Sequence, residues 1–157
     1  MDFQELYLST DGRISRKTWW IGLLGLIVAS IVLSLLLGLI GLGINGWGQL
    51  IVFLLLVYPA WCIGVKRRQD RDSHALDYKI MAVASGAMTI LQAFGIGMAA
   101  TTMGGGIVMM QPTGIMMVVQ LVVAVLGIYI LIQLGFLKGT PGPNSYGPDP
   151  LGYAATA

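Results

Sequence analysis

Two long tracts without a charged residue constrain this chain more than any other feature. No Asp, Glu, Lys or Arg occurs from Thr18 to Val65, and none occurs from Ile80 to Leu137. A bilayer core takes about 20 residues of helix, so each tract is too long for one span and long enough for two. The sequence therefore predicts an all-α membrane protein with four transmembrane helices in two hairpins.

The composition excludes an ordinary soluble domain. Charged residues make up 10% of the chain and hydrophobic residues 56%, with a mean hydropathy of +0.80, whereas soluble chains are about 25% charged. Too few polar groups remain to cover a surface that faces water. The single cysteine, Cys62, excludes an intramolecular disulfide and a thiolate metal cluster.

Turn and interface residues divide the tracts into spans. The predicted transmembrane domain covers 18–137, and its spans cover about 18–43, 47–65, 80–103 and 115–137. Ser15 is placed to cap the first helix, and Trp19 and Trp20 mark its entry at the headgroup level. The third span, rich in Ala, Gly, Thr and Met, is expected to pack among its neighbours. The fourth, rich in Val, Ile and Leu, is expected to face lipid.

All basic residues lie on one side of the predicted spans. They fall in the N-terminal segment 1–17, the loop 66–79 and the Gly/Pro-rich tail 138–157. Because basic residues accumulate in the loops that remain in the cytoplasm, both termini are predicted to be cytoplasmic. The tail carries four prolines among its glycines, a composition of turns, and it is either disordered or an ordered cap over the helix ends.

Small and polar side chains form two stripes within the spans. Such residues let helices approach closely and hydrogen bond across the contact, so we interpret both stripes as helix packing. A wet pathway for a small solute is the alternative. The spans carry no ionisable residue other than Cys62 and tyrosines near their ends, so they lack the usual mark of a proton relay. The stripes are Ser30, Ser34 and Gly38 in the first helix and Ser85, Thr89, Gln92, Ala99 and Thr102 in the third.

Two groups of residues invite a metal-site interpretation. Six methionines from Met98 to Met117, including Met103, surround the outer connection. Their thioethers are soft metal ligands, but no outer Cys or His accompanies them. We therefore interpret these methionines as core or interface filling. Asp70, Asp72, His74 and Asp77 in the loop lack the glycine and terminal glutamate of a calcium loop. We expect no metal and no other cofactor.

Three segments together resemble the family called domain of unknown function 805, small bacterial inner-membrane proteins. They are Gly12-Arg13-Ile14-Ser15-Arg16-Lys17 before Trp19 and Trp20, Val65-Lys66-Arg67 with Asp70, and Gly139-Thr140-Pro141-Gly142-Pro143-Asn144 with Tyr146-Gly147-Pro148-Asp149-Pro150. The loop departs from the family pattern. The family usually has His where Gln69 stands, an apolar residue where Arg68 stands, and Gly-Trp where Ala75 and Leu76 stand. The resemblance implies a multi-pass protein of the bacterial inner membrane, without an assigned activity.

The three segments fall at one membrane face, so we predict that they form one site in which Asp70 meets Arg13 or Arg67. The leading hypothesis is a non-enzymatic scaffold or accessory protein whose cytoplasmic surface binds anionic lipid headgroups or a protein partner, with no nucleic-acid partner and no catalytic residue. A homo-oligomer is also open. The alternatives are a small-solute transporter or channel along the third helix and a headgroup enzyme using Asp70 and Asp72 with a divalent metal. The predicted binding residues are Arg13, Arg16, Lys17, Lys66, Arg67, Asp70 and Asn144.

Overall fold

The computed structural model describes residues 2–43, 45–102 and 108–152. Within these ranges the chain forms five α-helices and one β-hairpin. The helices are α1 Phe3–Leu8, α2 Arg16–Gly38, α3 Gly46–Gln69, α4 Leu76–Ala93 and α5 Gly114–Leu131, and α5 continues as a π-helical turn, Ile132–Phe136. The hairpin pairs β1 Met98–Thr102 with β2 Val108–Pro112 in antiparallel register, Met98 opposite Pro112.

In the part of the chain that the structure describes, three helices are long and apolar enough to cross a membrane. They are α2, α3 and α5 with its π-helical turn, and they correspond to the first, second and fourth predicted spans. The third predicted span corresponds to α4, which has 18 residues and carries Asp77 and Lys79 in its first turns.

Two helix boundaries differ from the predicted ones at their C-terminal ends. The first helix ends at Gly38 instead of residue 43, and the chain then turns through Gly41, whose φ is +79°. The second helix continues to Gln69, so Lys66, Arg67 and Arg68, predicted to begin the loop, form its last turn. Cations are stabilised there by the negative end of the helix dipole. The predicted cap is confirmed, because the Ser15 Oγ accepts from the Thr18 amide at 3.2 Å.

The third span departs most from the prediction, and the all-α class is wrong at this point. The helix ends at Ala93, and a strand replaces the predicted helix from Met98 onward. Gly95 and Gly97 have φ of +69° and +73°, a left-handed conformation that glycine adopts easily and that ends a helix. Ala99 and Thr102 therefore lie in β1, and the predicted polar stripe is not one helical face. Met103 and the glycines at 104–106 of the predicted outer connection lie outside the described residues.

The helices pack in chain order and close at one end. α2 packs on α3, α3 on α4 and α4 on α5, and the π-helical turn of α5 reaches back to α2 and α3. The buried apolar cluster lies near that turn, and it contains Tyr7, Ile14, Trp19, Ile63, Ile130 and Leu134. Large apolar side chains on α2 and α5 are exposed instead, as expected for surfaces that face lipid.

The predicted packing residues make mainly local contacts. The Ser30 Oγ donates to the Ile27 carbonyl at 2.8 Å and the Thr89 Oγ1 to the Ser85 carbonyl at 2.9 Å, so both hydroxyls bond within their own helix. Ser85 itself lines an apolar cavity of about 280 Å³ between α3 and α4.

The other stripe residues contact backbone rather than polar side chains. Ser34 and Gly38 lie against Gly43 of the following turn, where an added Cβ would be 2.6 Å from the Gly38 Cα. Gln92 does lie where two helices meet, but its backbone makes the contact. A Cβ on Gly46, at the start of α3, would be 2.7 Å from the Gln92 carbonyl oxygen at the end of α4. In the described ranges, the side-chain amide of Gln92 makes no hydrogen bond.

Candidate binding site at the charged end of the helices

The short helix α1, which the sequence did not predict, lies against the end of α3. The Tyr7 hydroxyl donates to the Gly22 carbonyl at 3.0 Å, and the Tyr58 hydroxyl donates to the Leu8 carbonyl at 3.1 Å. The Lys66 ammonium donates to the Glu5 carbonyl, near the carbonyl-rich C-terminal end of α1. Lys66 is only 1% exposed, because α1 covers it.

Asp70 ends α3 and binds two arginines from different parts of the chain. Its Oδ1 accepts from the Arg13 Nε at 3.1 Å and lies 3.0 Å from the Arg13 Nη2, while its Oδ2 binds the Arg67 guanidinium. All three side chains are at most 5% exposed. Hydrogen bonds between ionised groups are about twice as strong as neutral ones, and a buried carboxylate needs such partners. The sequence predicted that Asp70 meets Arg13 or Arg67, and in the structure it contacts both.

Arg13 also holds the C-terminal tail. Its Nη1 donates to the Gly142 carbonyl at 2.7 Å and to the Gly147 carbonyl at 3.2 Å, and its Nη2 donates to the Thr140 carbonyl at 2.7 Å. The Nη2 also donates to the Thr140 Oγ1 at 3.3 Å, and with the Nε bond to Asp70 the guanidinium makes five hydrogen bonds, as many as it has N–H donors. Arg13 therefore connects the N-terminal segment, α3 and the tail.

Arg67 connects α3 to the end of α5. Its Nε donates to the Leu134 carbonyl at 2.7 Å, and its Nη2 donates to the Leu137 carbonyl. Carbonyls at the end of a helix lack partners within the helix, so the arginine satisfies them. One Nη1 and one Nη2 hydrogen of Arg67 have no acceptor among the described residues, since a guanidinium carries five donors.

The tail from Gly139 to Gly152 forms an ordered cap, which we call the tail cap. The Asp70 carbonyl accepts from the Thr140 amide at 2.9 Å and from its hydroxyl at 3.1 Å. The Asn144 amide donates to the Gln69 carbonyl at 2.9 Å. A Cβ on Gly139 would be 2.0 Å from the Asp70 Oδ2, so only glycine lets the backbone approach the carboxylate this closely.

Asp149 closes the tail cap on itself. Its Oδ1 accepts from the Leu151 amide and its Oδ2 from the Gly142 amide, both at 2.9 Å. The bond from Leu151 is the main reason why the pKa of Asp149 lies below its ordinary value, and the bond from Gly142 adds to it. The carboxylate is therefore ionised at neutral pH and helps to fix the turn.

The charged loop between α3 and α4 is also joined to the tail cap. The Asp72 Oδ1 accepts from the Ser145 amide at 3.3 Å, and the Tyr146 hydroxyl lies 2.8 Å from the His74 Nδ1. Arg68 pairs with Asp77 of the first turn of α4 at 2.8 Å. Among the residues that the structure describes, no three His, Cys, Asp or Glu side chains come together closely enough to hold a metal ion.

A cleft of about 350 Å³ lies beside this network and is open to the surface. Arg16, Arg67 and Lys138 supply its positive charge, and Asp70 and Asp149 its negative charge. A second cleft of about 380 Å³ shares Ser15, Arg16 and Leu151 with the first and extends past Lys17 to Trp20 and Gly135. The two clefts together connect the charged end to the lipid-facing side of α2.

The predicted binding residues thus fall into three groups. Arg13, Arg67, Asp70 and Asn144 come together in the buried network. Arg16 and Lys17 are exposed and line the clefts, and Arg16 donates to the Phe136 carbonyl at 3.1 Å. Lys66 lies apart, beneath α1. That any of them binds a lipid or a partner stays a prediction.

Sequence reasoning missed three residues that shape the cleft, namely Lys138, Thr140 and Asp149. Lys138 had a usable signal, because it is the only cation after the last apolar tract. Thr140 and Asp149 lay within the tail motif, but their role depends on contacts with Asp70 and Gly142 that no local pattern indicates.

Taken together, the apolar helices and the polar cap define a small helical protein of membrane type. The family model described as "Protein of unknown function (DUF805)" matches residues 7–148, and the chain belongs to this family. The match includes α2 to α5, the buried network and most of the tail cap. No curated protein and no solved structure matches the chain.

Proposed function

We propose that the chain is a non-enzymatic, multi-pass protein of the bacterial inner membrane whose charged end faces the cytoplasm and binds anionic lipid headgroups. It crosses the membrane four times. The observation that carries the proposal is the cleft lined by Arg16, Arg67 and Lys138, which lies at the helix ends and continues to Trp20.

The helix directions support four crossings. α3 and α5 end at the same face, since Arg67 near the end of α3 binds the Leu134 carbonyl in the turn after α5. If both cross the membrane in the same direction, the chain between them must return, and α4 packs between them. Its 18 residues are about 27 Å long at 1.5 Å per residue, close to the roughly 30 Å hydrocarbon core.

The charge distribution supports a cytoplasmic location for the charged end. All nine Lys and Arg residues of the sequence belong to the segments at that end, and basic residues are retained on the cytoplasmic side. The cytoplasmic leaflet also carries anionic lipids, and each Lys or Arg near it contributes about 1 kcal/mol of attraction.

The arrangement of charges supports headgroup binding over a purely structural role. The buried network joins four parts of the chain into a rigid platform. Arg16 and Lys138 stand exposed at its edge, and Lys138 has no hydrogen bond within the described ranges. The network fixes the backbone from which both cations extend, and the Lys138 ammonium can bind an anion without giving up a described hydrogen bond.

Native mass spectrometry of the purified protein with added lipids tests the proposal. Phosphatidylglycerol should remain bound in preference to phosphatidylcholine of the same acyl chains. The variant Lys138→Gln should weaken phosphatidylglycerol binding by about fivefold, the effect of roughly 1 kcal/mol. Lys79→Gln removes the same charge at an exposed position outside the cleft and should leave binding unchanged. Equal retention of both lipids would contradict the proposal.

A further inference from the structure

We propose, building on the headgroup binding above, that the cleft selects a lipid that ends in a phosphate monoester. The phosphate lies between Arg16, Arg67 and Lys138. The acyl chains leave through the second cleft, past Trp20, into the bilayer.

The charges of the cleft match a dianion. Asp70 offsets one charge of the two arginines that it contacts, Arg13 and Arg67, so one of these charges remains together with Arg16 and Lys138 against the carboxylate of Asp149. That carboxylate binds two backbone amides. Two positive charges are therefore left. A phosphate monoester carries about −1.5 to −2 at neutral pH, whereas the phosphodiester of a common anionic lipid carries one negative charge.

The donors of the cleft match the acceptor oxygens of a monoester. Arg67 has two N–H groups without an acceptor in the described residues, but its side chain is fully buried, so it contributes positive charge from beneath the cleft while the exposed Arg16 and Lys138 supply the donors. Arg16 uses only its Nη1 in a described hydrogen bond, to Phe136, and Lys138 adds an ammonium. A terminal phosphate offers three strong acceptor oxygens; a diester offers one fewer, because two of its oxygens are esterified.

The second cleft gives the acyl chains a path to the bilayer. Trp20 forms its wall, is 40% exposed, and donates its indole N–H to the Gly135 carbonyl at 3.2 Å. A Cβ on Gly135 would be 2.8 Å from the Trp20 ring, so this glycine lets the ring approach the π-helical turn closely. Beyond Trp20, α2 presents exposed Ile21 and Leu24, a surface on which lipid chains pack. A soluble phosphate compound makes no use of this path.

Competition between lipids with matched acyl chains tests the headgroup preference. We expect phosphatidic acid to bind the purified protein at least about fivefold more tightly than phosphatidylglycerol at pH 8, as measured by native mass spectrometry. This difference corresponds to about one further contact between charged groups. Lys138→Gln should reduce this preference, whereas Lys79→Gln should retain it. Equal binding of the two anionic lipids would overturn the monoester preference and leave the proposed function intact. Binding of neither above phosphatidylcholine would overturn the proposed function itself.

A second arm distinguishes a lipid from a soluble phosphate. Glycerol 3-phosphate and inorganic phosphate carry the same charged group without acyl chains. Neither should displace phosphatidic acid when present at the same concentration, because the second cleft contributes only to lipid binding. Displacement at equal concentration would show that the cleft takes a soluble phosphate, and it would overturn the lipid assignment.

Discussion

The buried guanidinium of Arg67 shows how single residues fix this fold. Its side chain is fully inaccessible, and a charge in that position needs compensation by partners, since removal of one partner of a buried pair typically costs about 3–5 kcal/mol. Asp70 supplies the opposite charge, and the Leu134 and Leu137 carbonyls supply further acceptors. The same carboxylate serves Arg13, so one residue determines how three segments meet.

Ala75 offers a test of local strain. It precedes α4 with φ of 56° and ψ of 27° and is fully buried. A left-handed conformation costs a non-glycine residue about 1–2 kcal/mol, while glycine loses about 0.4–1 kcal/mol through the entropy of the unfolded chain. The buried methyl group is also lost, at a cost of about 0.8 kcal/mol, so Ala75→Gly should leave the thermal unfolding midpoint in detergent nearly unchanged.

The control for this substitution is another alanine of the same helix. Ala87 is exposed in the interior of α4, so Ala87→Gly should lower stability by about 1 kcal/mol. A midpoint that falls in both variants would mean that the turn at Ala75 does not hold the left-handed conformation in solution.

At the scale of elements, the sequence predicted the helices whose positions depend on charge and length. It missed the elements that depend on tertiary contacts. The charge-free tracts predicted the approximate positions of α2, α3 and α5, and the motif positions predicted the contact between Arg13 and Asp70. The hairpin was missed because β1, Met-Ala-Ala-Thr-Thr, has no strand-like alternation of apolar and polar residues. Helix α1 was missed because six residues do not form a stable helix alone, and this one is held by Tyr7 and Lys66.

The network makes the N-terminal segment and α3 energetically dependent on each other. A double-mutant cycle with Arg13→Ala and Asp70→Ala, followed by thermal unfolding in detergent, should give a coupling above about 1 kcal/mol. The loss in the double variant should be smaller than the sum of the two single losses, because Arg13→Ala leaves the buried Asp70 with one partner fewer and Asp70→Ala leaves two buried arginines without their carboxylate.

A matched cycle provides the control. Asp77 pairs with Arg68 at 2.8 Å and has no described contact with Arg13. Arg13→Ala combined with Asp77→Ala should therefore be additive within about 0.5 kcal/mol. Additivity in the Arg13 and Asp70 cycle as well would mean that the two side chains do not meet in solution. If an alanine variant fails to fold, Arg13→Gln and Asp70→Asn give the same cycle with side chains of similar size.

The whole molecule is strongly polarised along the helix axes. At one end, α1, the loop and the tail cap bury arginines in a network of hydrogen bonds, and the clefts lie beside them. Along the sides, α2 and α5 expose many Ile, Leu and Val side chains. Soluble monomers rarely expose apolar surfaces of this kind. In the proposed topology this polarity brings the cationic cleft to the headgroup level, so the proposed topology and the proposed lipid binding depend on each other.

The last prediction therefore tests the orientation directly. Single cysteines placed at Ser9, Ser145 or Thr101 in a Cys62→Ala background are exposed to a membrane-impermeant thiol reagent added to intact cells. Ser9 and Ser145 lie at the charged end and should be labelled only after the membrane is permeabilised, whereas Thr101, exposed in β1 at the opposite end, should be labelled in intact cells. Labelling of Ser9 or Ser145 from outside would reverse the orientation. Protection of Thr101, with labelling after permeabilisation, would mean that α4 does not return the chain across the membrane.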